Sequence, residues 1–177
     1  AFHTTYSQGT DCTGDRGVPQ NGMGYSYPKS GNGYVGFLQF YNQGGQTNSR
    51  EYIQAQLTSP LQAGLSYKVG LFVKKSPRSS YATNHFGIYL SDTAIHQNFN
   101  QPILATPQLD LTGVLYDTTN WTLMQMGYTA TGGESYITIG NFYPDTACNM
   151  PYIGQFDPWC WLNVNAVYHY VDSVFVM

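Results

Sequence analysis

Seven stretches of this chain alternate residues with a period of two, and nowhere does the apolar spacing of a helix three turns long appear. That pattern admits strands and little else. Residues 51–57 set Ile53, Ala55 and Leu57 against Tyr52, Gln54 and Gln56, as a strand does when one face meets a core and the other meets water. Residues 67–73 set Tyr67, Val69, Leu71 and Val73 against Lys68, Gly70 and Phe72. Residues 33–41 carry bulk on both sides, with Tyr34, Leu38 and Phe40 opposite Val35, Phe37 and Tyr41, which predicts an interior strand. The pattern returns at 86–90, 122–128, 136–142 and 166–177, between loops bearing Pro102, Pro107, Gly132 and Gly133. Parallel pairing would need helical crossovers, so the predicted fold is all-β, an antiparallel β-sandwich.

At 177 residues the chain has the length of one domain, 1–177, and it shows neither internal repeat nor linker. Its first thirty residues, rich in Gly, Ser, Thr, Asp and Pro without a period, are predicted to form a wrapping loop. Seven basic against 10 acidic residues leave no positive excess to draw a phosphate backbone, which argues against a nucleic-acid partner. No run approaches the roughly 20 apolar residues that span a bilayer. Sixteen tyrosines, 19 glycines and few lysines describe a surface of amides, hydroxyls and phenols, a style of solvation that suits an exported β protein.

Signatures of catalysis are missing from the sequence: there is no G-x-S-x-G, no H-E-x-x-H and no P-loop. His3, His85, His96 and His169 are never spaced at i, i+4. Carboxylate pairs for glycoside hydrolysis could be drawn from Glu51, Glu134, Asp110, Asp117, Asp145 and Asp157, but sequence gives no distance between them. Glu51 shares its alternation side with Ile53 and Leu57 and is expected at the rim of the core, paired with Arg50 or Lys68. Cys12, Cys148 and Cys160 contain no C-x-x-C, which removes zinc-knuckle and thioredoxin readings. A disulfide between Cys148 and Cys160 is predicted, closing a loop that holds Pro151, Gly154 and Pro158. Cys12 is then left over, either buried and free or paired with a cysteine before the first residue given.

Aromatic residues carry the functional signal. A sugar presents an apolar C–H face that packs on a ring, while amides and carboxylates read its hydroxyls. Tyr81, Trp121, Tyr143, Tyr152, Trp159 and Trp161 fall in or beside predicted loops, with Asn84 among them, and are the candidate ligand-binding residues. For any single ring, Trp121 especially, core packing is an equal alternative. Asp172, in a strand whose last residues are apolar, needs a hydrogen-bonding partner or a cation; one Asp falls well short of the 6 to 8 oxygens around a structural calcium.

Several stretches together resemble a known family: Ser30-Gly31-Asn32-Gly33-Tyr34-Val35-Gly36, Arg50-Glu51-Tyr52-Ile53-Gln54, Tyr81-Ala82-Thr83-Asn84, Tyr128-Thr129-Ala130-Thr131-Gly132-Gly133-Glu134 and Ile139-Gly140-Asn141-Phe142. They are similar to the secreted galactose-binding-like, carbohydrate-binding-module-like jelly rolls of Bacteroidetes, found in cell-surface adhesins and in cargo proteins of type IX secretion. The resemblance spans nearly the whole chain and implies architecture more than ligand. Tyr170-Val171-Asp172-Ser173-Val174 resembles the family's closing Tyr-x-Asp-Asp-Val strand, with Ser173 in place of the second Asp. Family members open on a strand with Asn-x-x-Phe-Glu and a Cys-Pro, so the leading strand is expected to be missing here, which weakens the case for calcium at Asp172. Asp92-Thr93-Ala94, Asp117-Thr118-Thr119 and Asp145-Thr146-Ala147 resemble the O-glycosylation signal of exported Bacteroidetes proteins, implying modification at Thr93, Thr118 or Thr146.

The expectation is a non-catalytic module, secreted or on the cell surface, that binds a glycan or surface polysaccharide or mediates adhesion, without cofactor beyond a structural calcium. The rival from another class is a structural subunit of a filament, sheath or large adhesin whose partners are neighbouring copies or domains. A polysaccharide hydrolase is the third choice.

Overall fold

A computed structural model of the chain describes residues 2–4, 16–41, 47–154 and 166–177. The strands are β1 (Phe2–Thr4), β2 (Gln20–Asn21), β3 (Gly24–Tyr25), β4 (Gly33–Tyr41), β5 (Ile53–Gln56), β6 (Ser66–Lys75), β7 (Phe86–Ser91), β8 (Leu109–Leu111), β9 (Thr122–Thr129), β10 (Tyr136–Gly140) and β11 (Ala166–Val176). They pair antiparallel throughout, in a five-stranded sheet of order β1-β4-β11-β6-β9, a four-stranded sheet of order β5-β10-β7-β8 and a small β2-β3 hairpin. The helical content among the described residues is one 3-10 turn, Asp145–Ala147. The antiparallel β-sandwich expected from the period-two pattern is therefore what forms.

The two sheets bury one shared core. Phe37 of β4, Val69, Leu71 and Val73 of β6, Met124 of β9 and Val171 of β11 meet Phe86, Ile88 and Leu90 of β7 and Ile137 and Ile139 of β10. Each such side chain contributes roughly 1.5–3 kcal/mol by leaving water, which makes this packing the main source of stability. Strand β5 lies at the sheet edge, and only Ile53 and Leu57 lean on the core, so the predicted strand 51–57 is shorter and more exposed than its alternation suggests.

Strand β11 runs between β4 and β6 and is covered on both sides over its first six residues. His169 points inward, edge-on to the Phe86 ring at 5.4 Å, and burial, with the Lys75 charge beside it, pushes its pKa down to about 3. Lys75 is itself fully buried; its ammonium donates to the carbonyls of Ser76 at 3.0 Å and Ser79 at 2.6 Å, and burial lowers its pKa to about 8.

Tyr168 and Tyr170 face the opposite way and form a second cluster with Tyr34, Val18 and Met23. Residues 16–30 close this cluster as a strap across the outer surface of the five-stranded sheet. Asn21 is its pin, with its amide donating to the Tyr34 hydroxyl at 2.7 Å and its carbonyl accepting from Tyr170 at 3.0 Å. Burial raises the Tyr34 pKa to about 12 and pushes that of Tyr170 well above the ordinary phenol value. The far end of the strap is held by Asp172, whose Oδ2 accepts the backbone N–H groups of Lys29 at 2.7 Å and Ser30 at 3.1 Å. Of residues 1–30, expected to form a loop, the described part contributes β1 to the edge of the large sheet and the β2–β3 hairpin.

Candidate functional site

Two loops far apart in sequence are laced together at one end of the sandwich. Tyr81 and Tyr152 form an isolated antiparallel bridge, Ala82 N–H donates to Pro151 O at 3.2 Å, and Ile153 N–H donates to Ser80 O at 2.9 Å. Asn84 Oδ1 accepts the N–H of Asn149 at 2.8 Å. The sequence favours this arrangement because Pro144 and Pro151 keep the second loop from joining a ladder and Gly154 takes the left-handed φ of 72 just past the bridge.

The bridge sets two phenol rings against each other. Tyr81 and Tyr152 have centroids 5.3 Å apart at 65°, and Tyr81 leans in turn on Phe40 at 6.2 Å. Tyr152 is 61% exposed, so a braced ring stands in solvent. Along the same loops the His85 imidazole stacks on Tyr143 at 3.9 Å and 23°, and His85 Nδ1 lies 3.0 Å from Asp110 Oδ2. Burial raises the Tyr143 pKa to about 12, and the neighbouring Asp110 carboxylate, which takes its hydrogen bond, adds to the effect. Tyr143 thus remains a neutral phenol at any physiological pH.

Beneath the second loop sits Arg50, whose side chain is 0% exposed. Its Nη2 reaches Asp145 Oδ1 at 2.7 Å and Tyr143 O at 2.9 Å, and its Nη1 donates to Ser49 O at 3.1 Å. Asn48, at φ 59, exchanges two 2.7 Å hydrogen bonds with Asp145. Glu51, expected at the rim of the core and paired with Arg50 or Lys68, is instead exposed and accepts the Leu38 N–H at 2.8 Å, while Arg50 turns toward Asp145. Cys148 is a free thiol lying 3.4 Å from the Asn141 amide nitrogen, and its predicted disulfide partner Cys160, like Cys12, falls outside the described residues.

Of the residues proposed from sequence, Tyr81, Asn84, Tyr143 and Tyr152 come together on these two loops, and Trp159 and Trp161 lie outside the described residues. Trp121 is elsewhere. It packs against Tyr34 at 5.8 Å on the strap side of the large sheet, with its indole N–H donating to Tyr27 O at 3.1 Å and Lys74 Nζ 5.9 Å from its ring. Thr93 and Thr146 are exposed and Thr118 is half-buried, all three outside strands. His85 and Asp110 were not legible as a pair, because β8 is three residues long and its contact with β7 depends on tertiary pairing.

The carboxylates considered for hydrolysis have other partners. Glu134 is 4% exposed and accepts four hydrogen bonds from its own hairpin: Tyr128 Oη at 2.6 Å, Thr131 N at 2.8 Å, Thr131 Oγ1 at 2.7 Å and Gly132 N at 2.9 Å. Burial alone would raise its pKa, but the Tyr128 and Thr131 donors outweigh it and hold the group at about 2, well below the ordinary 4.5. A carboxyl ionised that firmly makes a poor general acid. Asp172 is likewise committed: its two oxygens accept the Lys29 and Ser30 N–H groups and the Ser173 hydroxyl, donors that a cation would have to displace. Among the described residues no group of three or more His, Cys, Asp and Glu side chains converges on a metal position. Nor is any helix among them long and apolar enough to cross a membrane.

No family model matches the chain, and no curated protein does. Among solved structures it is similar to the K3 cleaved adhesin domain of Lys-gingipain from Porphyromonas gingivalis W83, with 18% identity, 99% of this chain and 88% of that chain covered, and a TM-score of 0.48. It is also similar to the K1 cleaved adhesin domain of the same protein, with 17% identity, 82% and 74% covered, and a TM-score of 0.45.

Proposed function

We propose that the chain is a non-catalytic extracellular module that recognises carbohydrate, and through it mediates adhesion, at the loop pair carrying Tyr81 and Tyr152. The observation that supports this is the Tyr152 ring, 61% exposed yet held edge-on by Tyr81 across a backbone bridge. A ring fixed in this way can take the apolar face of a sugar without losing conformational freedom on binding. Asn84 and His85, which follow Tyr81 on the first loop, supply amide and imidazole groups for hydroxyls. Trp159 and Trp161, which follow Tyr152 in sequence, are proposed to add rings to the same surface. Binding of this kind requires no cofactor, and single-site affinity would be modest, with avidity supplied by neighbouring copies or domains.

A glycan array followed by calorimetry on the best hit tests the proposal. Tyr152→Ala should weaken binding at least tenfold with an unchanged circular dichroism spectrum. An array with no hit, or a hit indifferent to Tyr81, Tyr152, Trp159 and Trp161, would remove it.

Strand β9 favours a second reading, as a subunit that pairs with copies of itself. It ends the large sheet, and its sequence Thr-Leu-Met-Gln-Met-Gly-Tyr-Thr has neither charge nor proline to discourage pairing along the open edge. Ordered assemblies seen by electron microscopy without sugar, abolished by Gln125→Lys, would support it.

A further inference from the structure

We infer that the strap carries a second and separate sugar-binding surface, made by Tyr25 and Tyr27 and bordered by Trp121, which would make the module bivalent. Tyr25 is 54% exposed and Tyr27 63%, and among the described residues nothing covers either ring. Their centroids lie 5.5 Å apart at 89°, so one ring offers a face beside the edge of the other. The Tyr25 hydroxyl donates to that of Tyr27 at 3.0 Å. The Tyr27 proton is then available to a ligand, and the Tyr25 oxygen keeps lone pairs free beside it. A donor and an acceptor at that spacing match two vicinal hydroxyls of a pyranose whose C–H face lies on the ring.

The two tyrosines are preorganised from both directions. Tyr25 belongs to β3 and pairs with Gln20, while Ser26 N–H donates to Pro19 O at 2.7 Å. Trp121 holds the Tyr27 carbonyl from below. The hairpin tip is fastened to the sandwich through the Met23 carbonyl, which accepts the Ser76 hydroxyl at 2.5 Å and the Arg78 N–H at 3.3 Å. Rings placed in solvent on so constrained a backbone add nothing to the core, whereas a binder gains from their rigidity. At the border the Trp121 ring has Lys74 Nζ 5.9 Å from its centroid.

The test is a titration of the isotope-labelled full chain with the methyl glycosides of galactose, mannose and N-acetylglucosamine, followed by amide and indole NMR shifts. Saturable shifts at Tyr25, Ser26, Tyr27 and the Trp121 indole are expected with at least one of them. Tyr27→Ala should abolish those shifts, and Tyr27→Phe, which keeps the ring and removes the donor, should weaken affinity about tenfold. Absence of shifts at these positions with all three glycosides in the wild-type chain would overturn the inference without any variant. Retention of the shifts in a Tyr25→Ala/Tyr27→Ala chain would also overturn it. Tyr152→Ala should leave the strap response intact, so failure of the loop site and failure of this one are read separately.

Discussion

Replacing Glu134 with Gln isolates a single anion that locks the β9–β10 hairpin. The wild-type carboxylate receives four donors, two of them backbone N–H groups of Thr131 and Gly132. An amide of the same shape loses the charge and turns an NH2 group toward those donors. The displacement of the pKa from 4.5 to about 2 corresponds to about 3 kcal/mol of stability at neutral pH. The hairpin tip is solvated, and screening reduces the expected loss to about 2 kcal/mol. For a chain of this size that is a fall in Tm of roughly 4–8 °C. Because the folded pKa lies below the unfolded one, the stabilisation is complete above pH 4.5 and is lost as pH falls toward about 2. Urea or thermal unfolding of both proteins from pH 7 downward should therefore show the two curves converging. A Tm gap under 1 °C at pH 7, or one that stays constant down to about pH 2, would refute the reasoning.

Four further outcomes are expected. Asp145→Asn leaves the buried Arg50 guanidinium without its counter-charge and should cost about 3 kcal/mol of unfolding free energy measured in urea; a loss below about 0.5 kcal/mol would show that the pair is not needed. Gly140→Ala places a methyl group against the Tyr52 ring, which cannot swing aside because its hydroxyl is held between Asn141 O at 2.6 Å and Ile103 N at 2.9 Å; calorimetry should show destabilisation of about 1–3 kcal/mol. The Lys75 pKa is lowered to about 8 from 10.5, so the unfolded chain binds the extra proton between those values; stability contributed at this site should rise with pH across that window, and Lys75→Met should remove the rise in a pH series of denaturation curves. Cys148 should be alkylated by iodoacetamide without prior reduction, as read by peptide mass spectrometry.

The strands were legible wherever alternation ran long enough. Residues 33–41, with bulk on both faces, correspond to β4, an interior strand of the large sheet, and residues 67–73, 122–128 and 166–177 correspond to β6, β9 and β11. Strand β8 escaped notice because Leu109-Asp110-Leu111 is too short to show a period. Buried Arg50, Lys75 and His169 could not be anticipated, since their partners are backbone carbonyls, rings or loops brought in by the fold. The same holds at the candidate site, where the Tyr81–Tyr152 bridge joins positions about seventy residues apart and no spacing in the sequence encodes it. Tyr25 and Tyr27 lay in a stretch without period, where an exposed ring and a packed one look alike until the strap is seen crossing the sheet.

The placement of β11 also governs when the larger sheet can assemble. Strand β11 follows the other four in sequence yet lies in the middle of the sheet, so β1 with β4 and β6 with β9 remain two separate ribbons, each with an open inner edge, until β11 slides between them. Every pairing that closes the sheet spans a large part of the chain, which makes closure slow relative to forming either ribbon. During that interval the ribbons expose hydrogen-bonding edges to one another and to other chains, and the risk of mispairing is concentrated there rather than in the finished protein.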